Sequence, residues 1–255
     1  MIHPTAIVDP GARIGADCRI GPYCIVGGQV VLGDRCHLHS HVVIDGLTTL
    51  GADNEVYPFA SLGMKTQDLK WKGGETRVEI GDRNVFREYV SVHSATSDGG
   101  VTRVGSDNHF LANTHLAHDV QVGNRVIMSN LATLAGHVVV GDHAIIAGLA
   151  AVHQFCRIGR YAMVGGCSKL VQDVAPFMMA DGNPAETRFV NKVGLERAGF
   201  SPETIAALVK AYKTVFRSGL TLEKAVAQLE EESPSVPELR EVVEFIRASQ
   251  RGLAR

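Results

Sequence analysis

The sequence predicts a mainly β protein: a parallel β-helix of hexapeptide repeats over residues 1–182, followed by a C-terminal α-helical domain over residues 183–255. Three observations carry this. Aliphatic residues recur at every sixth position, small residues recur two places before them, and amphipathic patterns with proline starts replace both near the C-terminus.

The period begins at Ile2 and runs through Val8, Ile14 and Ile20 to Val164 and Leu170; of 29 such positions, 26 are aliphatic, Phe or Met. A helix repeats every 3.6 residues and a strand every 2, so a sustained period of six belongs to a stacked hexapeptide coil. The three exceptions, Asp68, Gly74 and Asp98, fall in two polar segments, about 64–78 and 94–103, which read as loops thrown out of the coil. The residue after the aliphatic one is often glycine (Gly15, Gly21, Gly33, Gly105, Gly141), as a tight corner favours. The residue two before it is small: Ala12, Cys18, Cys24, Cys36, Ala132, Ala144, Cys156. Four of the five cysteines therefore read as interior packing. Three hexads make one triangular turn, so residues eighteen apart stack at about 4.8 Å. Periodicity leaves the hand open, since parallel crossovers are right-handed by default.

Beyond Leu170 the stretch QDVAPFMMADGNPAETRF reads as a connection. Ser201-Pro202 is then an N-cap with proline at the first helical position, and Ile205, Leu208, Val209, Tyr212, Val215 and Phe216 form one apolar face. Ser235-x-x-Glu238 reads as a capping box ahead of Leu239, Val242, Val243 and Ile246. The helical domain is expected to pack on the coil or on a neighbouring subunit.

Composition excludes several classes. A formal net charge of −2 gives no general field for nucleic acid or an anionic membrane. The N-terminal stretch MIHPTAIVDPGARIG lacks a basic, then apolar, secretory signal, and no run reaches the ~18 apolar residues of a membrane span. The expectation is a cytoplasmic protein without stable membrane insertion. Five cysteines without a C-x-x-C pair speak against a disulfide framework or a thiolate zinc site.

Placed on an eighteen-residue turn, His115, His118, His137 and His153 converge on one strip spanning three successive coils. His118 shares its column with Gly136 and then Gln154. A glycine in that slot opens space beside the imidazole and bares a backbone N–H suited to an oxyanion. Asp119 follows His118 directly, but neighbours on a strand point to opposite faces, which leaves contact between the two open. Two chemistries fit the strip. Three imidazoles with an open water position suffice for zinc, as in trimeric β-helix carbonic anhydrases. One imidazole with a pKa near neutrality serves as general base when a hydroxyl or amine attacks an activated acyl group, with no metal and no other cofactor. A scaffold that only binds a nucleotide sugar is the non-catalytic alternative. A covalent acyl-enzyme is not expected, because Cys156 reads as inward-facing and Cys167 lies off the strip.

The stretches IHPTAIV, IGPYCIVG, SHVVIDG, TQDLKWKGGETRVEIGDRN, HLAHDVQVGNR, LAGHVVVGD, AVHQFCRIG, MVGGCS, FVNKVGLERAGFS and YKTVFRSG together resemble the acyl carrier protein-dependent UDP-N-acetylglucosamine O-acyltransferase family, which starts lipid A biosynthesis. The resemblance runs essentially end to end. It implies a left-handed parallel β-helix, a homotrimer, and sites in clefts between adjacent coils. It implies transfer of an (R)-3-hydroxyacyl chain from acyl carrier protein to the sugar 3-hydroxyl, with His118 as base and the Gly136 N–H as oxyanion donor. It places Asp68, Lys70, His93, His115, His137, His153 and Gln154 around the sugar and phosphates, and Asn191 and Arg197 at the nucleotide or phosphopantetheine.

Gly148 and Gly166 share a column near Met163, and the resemblance makes Gly166 the position of an acyl-chain stop. Glycine there is expected to favour a chain of about fourteen carbons over about ten. Pro184-Ala185, Val193 and Ala198 depart from the family pattern, so nucleotide contacts in the tail are carried over less firmly. Some relatives acylate a 3-amino analogue of the sugar, and the sequence is compatible with that acceptor. Acyl carrier protein is acidic, and Arg157, Arg160, Lys169, Arg188, Lys192 and Arg197 are expected to form a local basic face for it.

Overall fold

The computed structural model of the chain describes residues 1–232 and 236–255. The coil is a left-handed parallel β-helix. Its three flat faces are sheets of nine, eight and ten strands among the described residues. Most strands are only two residues long, because each hexad gives one short flat segment and one corner. Within a strand the pattern is one side chain out and one in, as in Arg19 out and Ile20 in, with the inward residue 2% exposed. The ten-stranded sheet ends with Met178–Gly182, parallel to Met163–Val164, and Ala185–Val190, antiparallel to it, which turn the chain into the helices.

Register reports the size of the two loops. Ile7 pairs with Ile25 and His115 with Thr133, eighteen apart, whereas Glu55 pairs with Val85 and Val85 with His109. The first loop thus adds two hexads and the second adds one. That is why the hexad rule fails at two positions in the first segment and one in the second.

The glycines after the aliphatic positions have another cause than the one expected. The left-handed corners are occupied by other residues, among them Tyr23, His41, Asp119, His137 and Phe155, with φ of 59–66°. The glycines lie on backbone any residue can adopt, but a Cβ on Gly21 would sit 2.3 Å from the His39 carbonyl, and one on Gly105 2.5 Å from that of Gly123. Glycine is needed there because successive coils approach too closely for a side chain.

Cys18, Cys24, Cys36 and Cys156 are buried and Cys167 is exposed. Three inward positions hold asparagine instead of a small residue. Asn84 donates through its backbone N–H and its side-chain amide to Asn54 Oδ1, both at 3.0 Å, Asn108 does the same to Asn84, and Asn108 Oδ1 accepts from Val126 N–H. These buried amides are satisfied by one another. The ladder ties together the coils on either side of each insertion.

The C-terminal helices are α1 (Lys192–Arg197), α2 (Pro202–Phe216), α3 (Leu222–Glu232) and α4 (Pro237–Arg247). Ser201 caps α2 by accepting from Thr204 N–H at 3.1 Å. The capping box expected before α4 rests on Ser235, which lies outside the described residues; α4 has Val236 at its N-cap with no side-chain capping bond. The domain packs on its own coil: Arg160 pairs with Glu241 at 2.9 Å, Arg157 lies over the Phe245 ring, and buried Asp173 accepts from Ser249 Oγ. Among the described residues no helix is long and apolar enough to cross a membrane.

Candidate active site

Outward positions on the nine-stranded face, the corner that follows it, and the first loop together line one cleft of about 570 Å³. Asp68 and Lys70 come from the loop, His93 from one coil, His115 and His118 from the next, and Gly136 and Gln154 from the two after that.

His118 stands at the corner after the strand His115–Leu116. Its Nδ1 lies 2.9 Å from Asp119 Oδ2. The alternation rule left this contact open, but Asp119 occupies a left-handed corner with φ 60° rather than a strand, so its side chain turns back to its neighbour. A carboxylate only accepts, so Nδ1 carries the proton and Nε2 is the bare nitrogen. Opposite it, a Cβ on Gly136 would fall 2.3–2.9 Å from the imidazole atoms. Any larger residue would evict the ring. No described residue accepts the Gly136 N–H in a hydrogen bond. The pair is mostly enclosed, with side chains 16% and 12% exposed.

His115 and His93 are held differently. His115 Nδ1 is 2.8 Å from Ser91 Oγ on the preceding coil, in register with it, and its ring meets the His93 ring edge-on. Burial first, then the neighbouring imidazoles of His93 and His118, push the His115 pKa down to about 4. His93 is lowered by burial and then by His118. Both are neutral imidazoles at neutral pH, suited to hydrogen-bonding hydroxyls rather than to carrying charge.

The remaining sequence candidates divide. Asp68 Oδ1 accepts from Lys70 N–H at 2.8 Å, an internal turn that presents the lysine. His137 is not among the cleft-lining residues and stacks on Phe155 at 4.6 Å, while His153 Nδ1 lies 3.1 Å from the Gln154 carbonyl. Asn191 is 7% exposed and spends its side chain on capping α1 and on the Tyr161 carbonyl. Arg197, in the last turn of α1, is exposed, and neither residue lines the histidine cleft. A Cβ on Gly166 would have one neighbour at 3.4 Å and one on Gly148 its nearest at 3.3 Å, so coil packing does not demand glycine at either. Met163 is half-buried on the ten-stranded face. Of the basic residues expected to form one face, Arg160, Arg188 and Lys192 are paired with Glu241, Glu186 and Glu196. Ser91 and Thr96 were missed. Ser91 pairs with His115 twenty-four residues on, across the inserted hexad, where counting by eighteen does not find it, and Thr96 lies inside the loop and carries no signal.

Among the described residues two clusters have the donor set for a metal ion: His37, His39 and Glu55 away from the cleft, and His118, Asp119 and His137 at its edge. The second offers two imidazoles and a carboxylate rather than the three imidazoles of the zinc reading.

A coil of stacked hexads carrying a histidine–aspartate pair beside a bare glycine defines a hexapeptide-repeat transferase. Residues 1–46 match the bacterial transferase hexapeptide family, and residues 173–254 match the second domain of UDP N-acetylglucosamine O-acyltransferase. LpxA of Acinetobacter baumannii is 48% identical, with 100% of this chain and 99% of that one covered at a TM-score of 0.97. The UDP-N-acetylglucosamine O-acyltransferase LpxA of Moraxella catarrhalis is 46% identical, with 100% and 99% covered and a TM-score of 0.96. The Arabidopsis UDP-N-acetylglucosamine acyltransferase is 36% identical over 100% of both chains, with a TM-score of 0.90. The chain belongs to the UDP-N-acetylglucosamine O-acyltransferase family.

Proposed function

We propose that this chain transfers an (R)-3-hydroxyacyl group from the phosphopantetheine thioester of acyl carrier protein to the 3-hydroxyl of UDP-N-acetylglucosamine, the first step of lipid A biosynthesis in the cytoplasm. The observation that carries the reading is the His118 imidazole, bound through Nδ1 to Asp119 with its other edge against Gly136 in the cleft. His118 Nε2 takes the proton from O3 as that oxygen attacks the thioester carbonyl carbon. The Gly136 N–H faces the negative charge that develops on the carbonyl oxygen. The C–S bond then breaks, and the imidazolium returns its proton to the departing thiolate. Asp119 stabilises the imidazolium between the two transfers.

Neutral His93 and His115, with Gln154, receive sugar hydroxyls, and Lys70 on its Asp68-braced turn meets a phosphate. His137 and His153 stand at the rim, and Asn191 and Arg197 serve the donor or nucleotide from the tail. The acyl chain runs past Gly148 and Gly166, where missing side chains leave room, with Met163 beside them. The working form is a homotrimer. Its support is a column of apolar corner side chains left in water by a single copy: Tyr23, Phe59, Tyr89, Leu131 and Leu149 are 48–58% exposed.

The test is turnover of 3-hydroxymyristoyl acyl carrier protein with UDP-N-acetylglucosamine and, separately, its 3-amino analogue, with mass identification of products. O3-ester from the first acceptor supports the reading. Amide from the amino sugar alone moves the chain to the amide-forming branch, and no product from either overturns the assignment.

A further inference from the structure

The second loop is one inserted hexad; Thr96 within it and Thr102 on the strand that follows both end on Asp119. Thr96 donates its hydroxyl at 2.6 Å and its backbone N–H at 3.1 Å to Asp119 Oδ2, the same oxygen that faces His118 Nδ1. Thr102, fully buried, accepts the Asp119 N–H on its Oγ1 at 2.8 Å. One threonine fixes the carboxylate and the other fixes the backbone behind it.

The choice of holder has a consequence for charge. Two corner aspartates elsewhere on the coil are held by cations: Arg35 binds Asp53 and Arg83 binds Asp107, each at 2.7 Å. An arginine on Asp119 would neutralise the charge an imidazolium at His118 requires. A hydroxyl and an amide hold the carboxylate in place without setting a positive charge beside it. Asp119 also has a second imidazole within reach, since His137 Nε2 is 3.6 Å from the same Oδ2. A carboxylate free to rotate could turn to His137 or to water, and His118 would lose both its fixed tautomer and its counter-charge.

We infer that Thr96 is a positioning residue for acyl transfer, holding Asp119 against His118 through a neutral hydroxyl. The inference rests on the general-base reading above and extends it to a loop that lies outside the histidine strip. Hydrogen bonds to a charged acceptor are the strong kind, so losing this one costs roughly tenfold in rate.

The test compares Thr96→Val, Thr96→Ala, Thr96→Ser, Asp119→Asn, the Thr96→Val/Asp119→Asn double variant and His118→Ala in full-length protein, with melting curves to confirm folding. Thr96→Val and Thr96→Ala should lower kcat about tenfold with KM for the nucleotide sugar unchanged, and Thr96→Ser, which keeps the hydroxyl, should restore most of the rate. On the Asp119→Asn background, Thr96→Val should add no further loss, as expected of residues that act through one another. Wild-type kcat in both hydroxyl-deleted variants, or a full additional loss in the double variant, overturns the inference while leaving His118 as base. Wild-type turnover by His118→Ala overturns both.

Discussion

The cleft holds a pair of facing histidines, His93 and His115, and a histidine–aspartate pair, His118 and Asp119, and the two pairs are built oppositely. His93 and His115 meet edge to face, and burial, followed by repulsion from neighbouring imidazoles, keeps their rings uncharged. His118 is given a carboxylate at 2.9 Å and a glycine against its other edge. In the proposed mechanism the same side chain serves as a neutral hydrogen-bonding surface in one case and as a proton acceptor in the other. The difference lies in the neighbours: His93 and Ser91 on the preceding coil for His115, and the adjoining corner aspartate with Gly136 on the next coil for His118.

Glutamine substitution separates the two roles, because it keeps a neutral hydrogen-bonding group and removes the base. His118→Gln should lower kcat by about a thousandfold, while His115→Gln should stay within about tenfold of wild type. Equal losses measured in steady-state assays would erase the distinction. Next in size is Gly136→Ala, which puts a methyl where the ring now lies. A loss of about a hundredfold in kcat is expected, with the melting temperature nearly unchanged because the clash is with a side chain at the cleft. Retained activity would show that the imidazole has room to move.

A smaller effect tests the neutral pair through stability. His115 titrates near 6.5 when unfolded but is held down to about 4 in the fold. The depressed value means the unfolded chain takes up a proton first as pH falls. The stabilisation is therefore complete above about 6.5 and is lost as the pH drops from there toward 4. Melting temperatures at pH 7.5 and pH 4.5 should fall further for wild type than for His115→Gln, by about a few degrees. A parallel fall would mean that His115 is already solvated. Smallest in rate, Gly166→Met should shift preference from chains of about fourteen carbons toward about ten without much change in total activity. Unchanged preference between short and long donors would remove Gly166 from the acyl groove.

The coil was legible because its physics is periodic. Every inward aliphatic residue obeys one spacing, and even the loop sizes follow from the two failures at Asp68 and Gly74 and the one at Asp98. The column joining His118, Gly136 and Gln154 was legible for the same reason, since no insertion interrupts those coils. His93, Asp68 and Lys70 sit across the inserted hexads, where counting by eighteen fails, and only the family resemblance brought them to the site. The Asp119 contact was hidden by a strand rule applied to a corner residue. The asparagine ladder and Thr96 were hidden because they depend on which particular atoms meet, which spacing does not encode. The corner glycines were visible but assigned to backbone conformation, when the cause is the neighbouring coil.

The most direct test of the central claim is a single-turnover measurement of ester formation at O3 by wild-type protein and by His118→Ala, each with and without a metal chelator. The account predicts a wild-type rate indifferent to chelator and a rate lower by about a thousandfold in the variant, with the variant still binding UDP-N-acetylglucosamine. A His118→Ala rate equal to wild type, or a wild-type rate abolished by chelation, would contradict a histidine base and turn attention to the His118, Asp119 and His137 cluster as a metal centre.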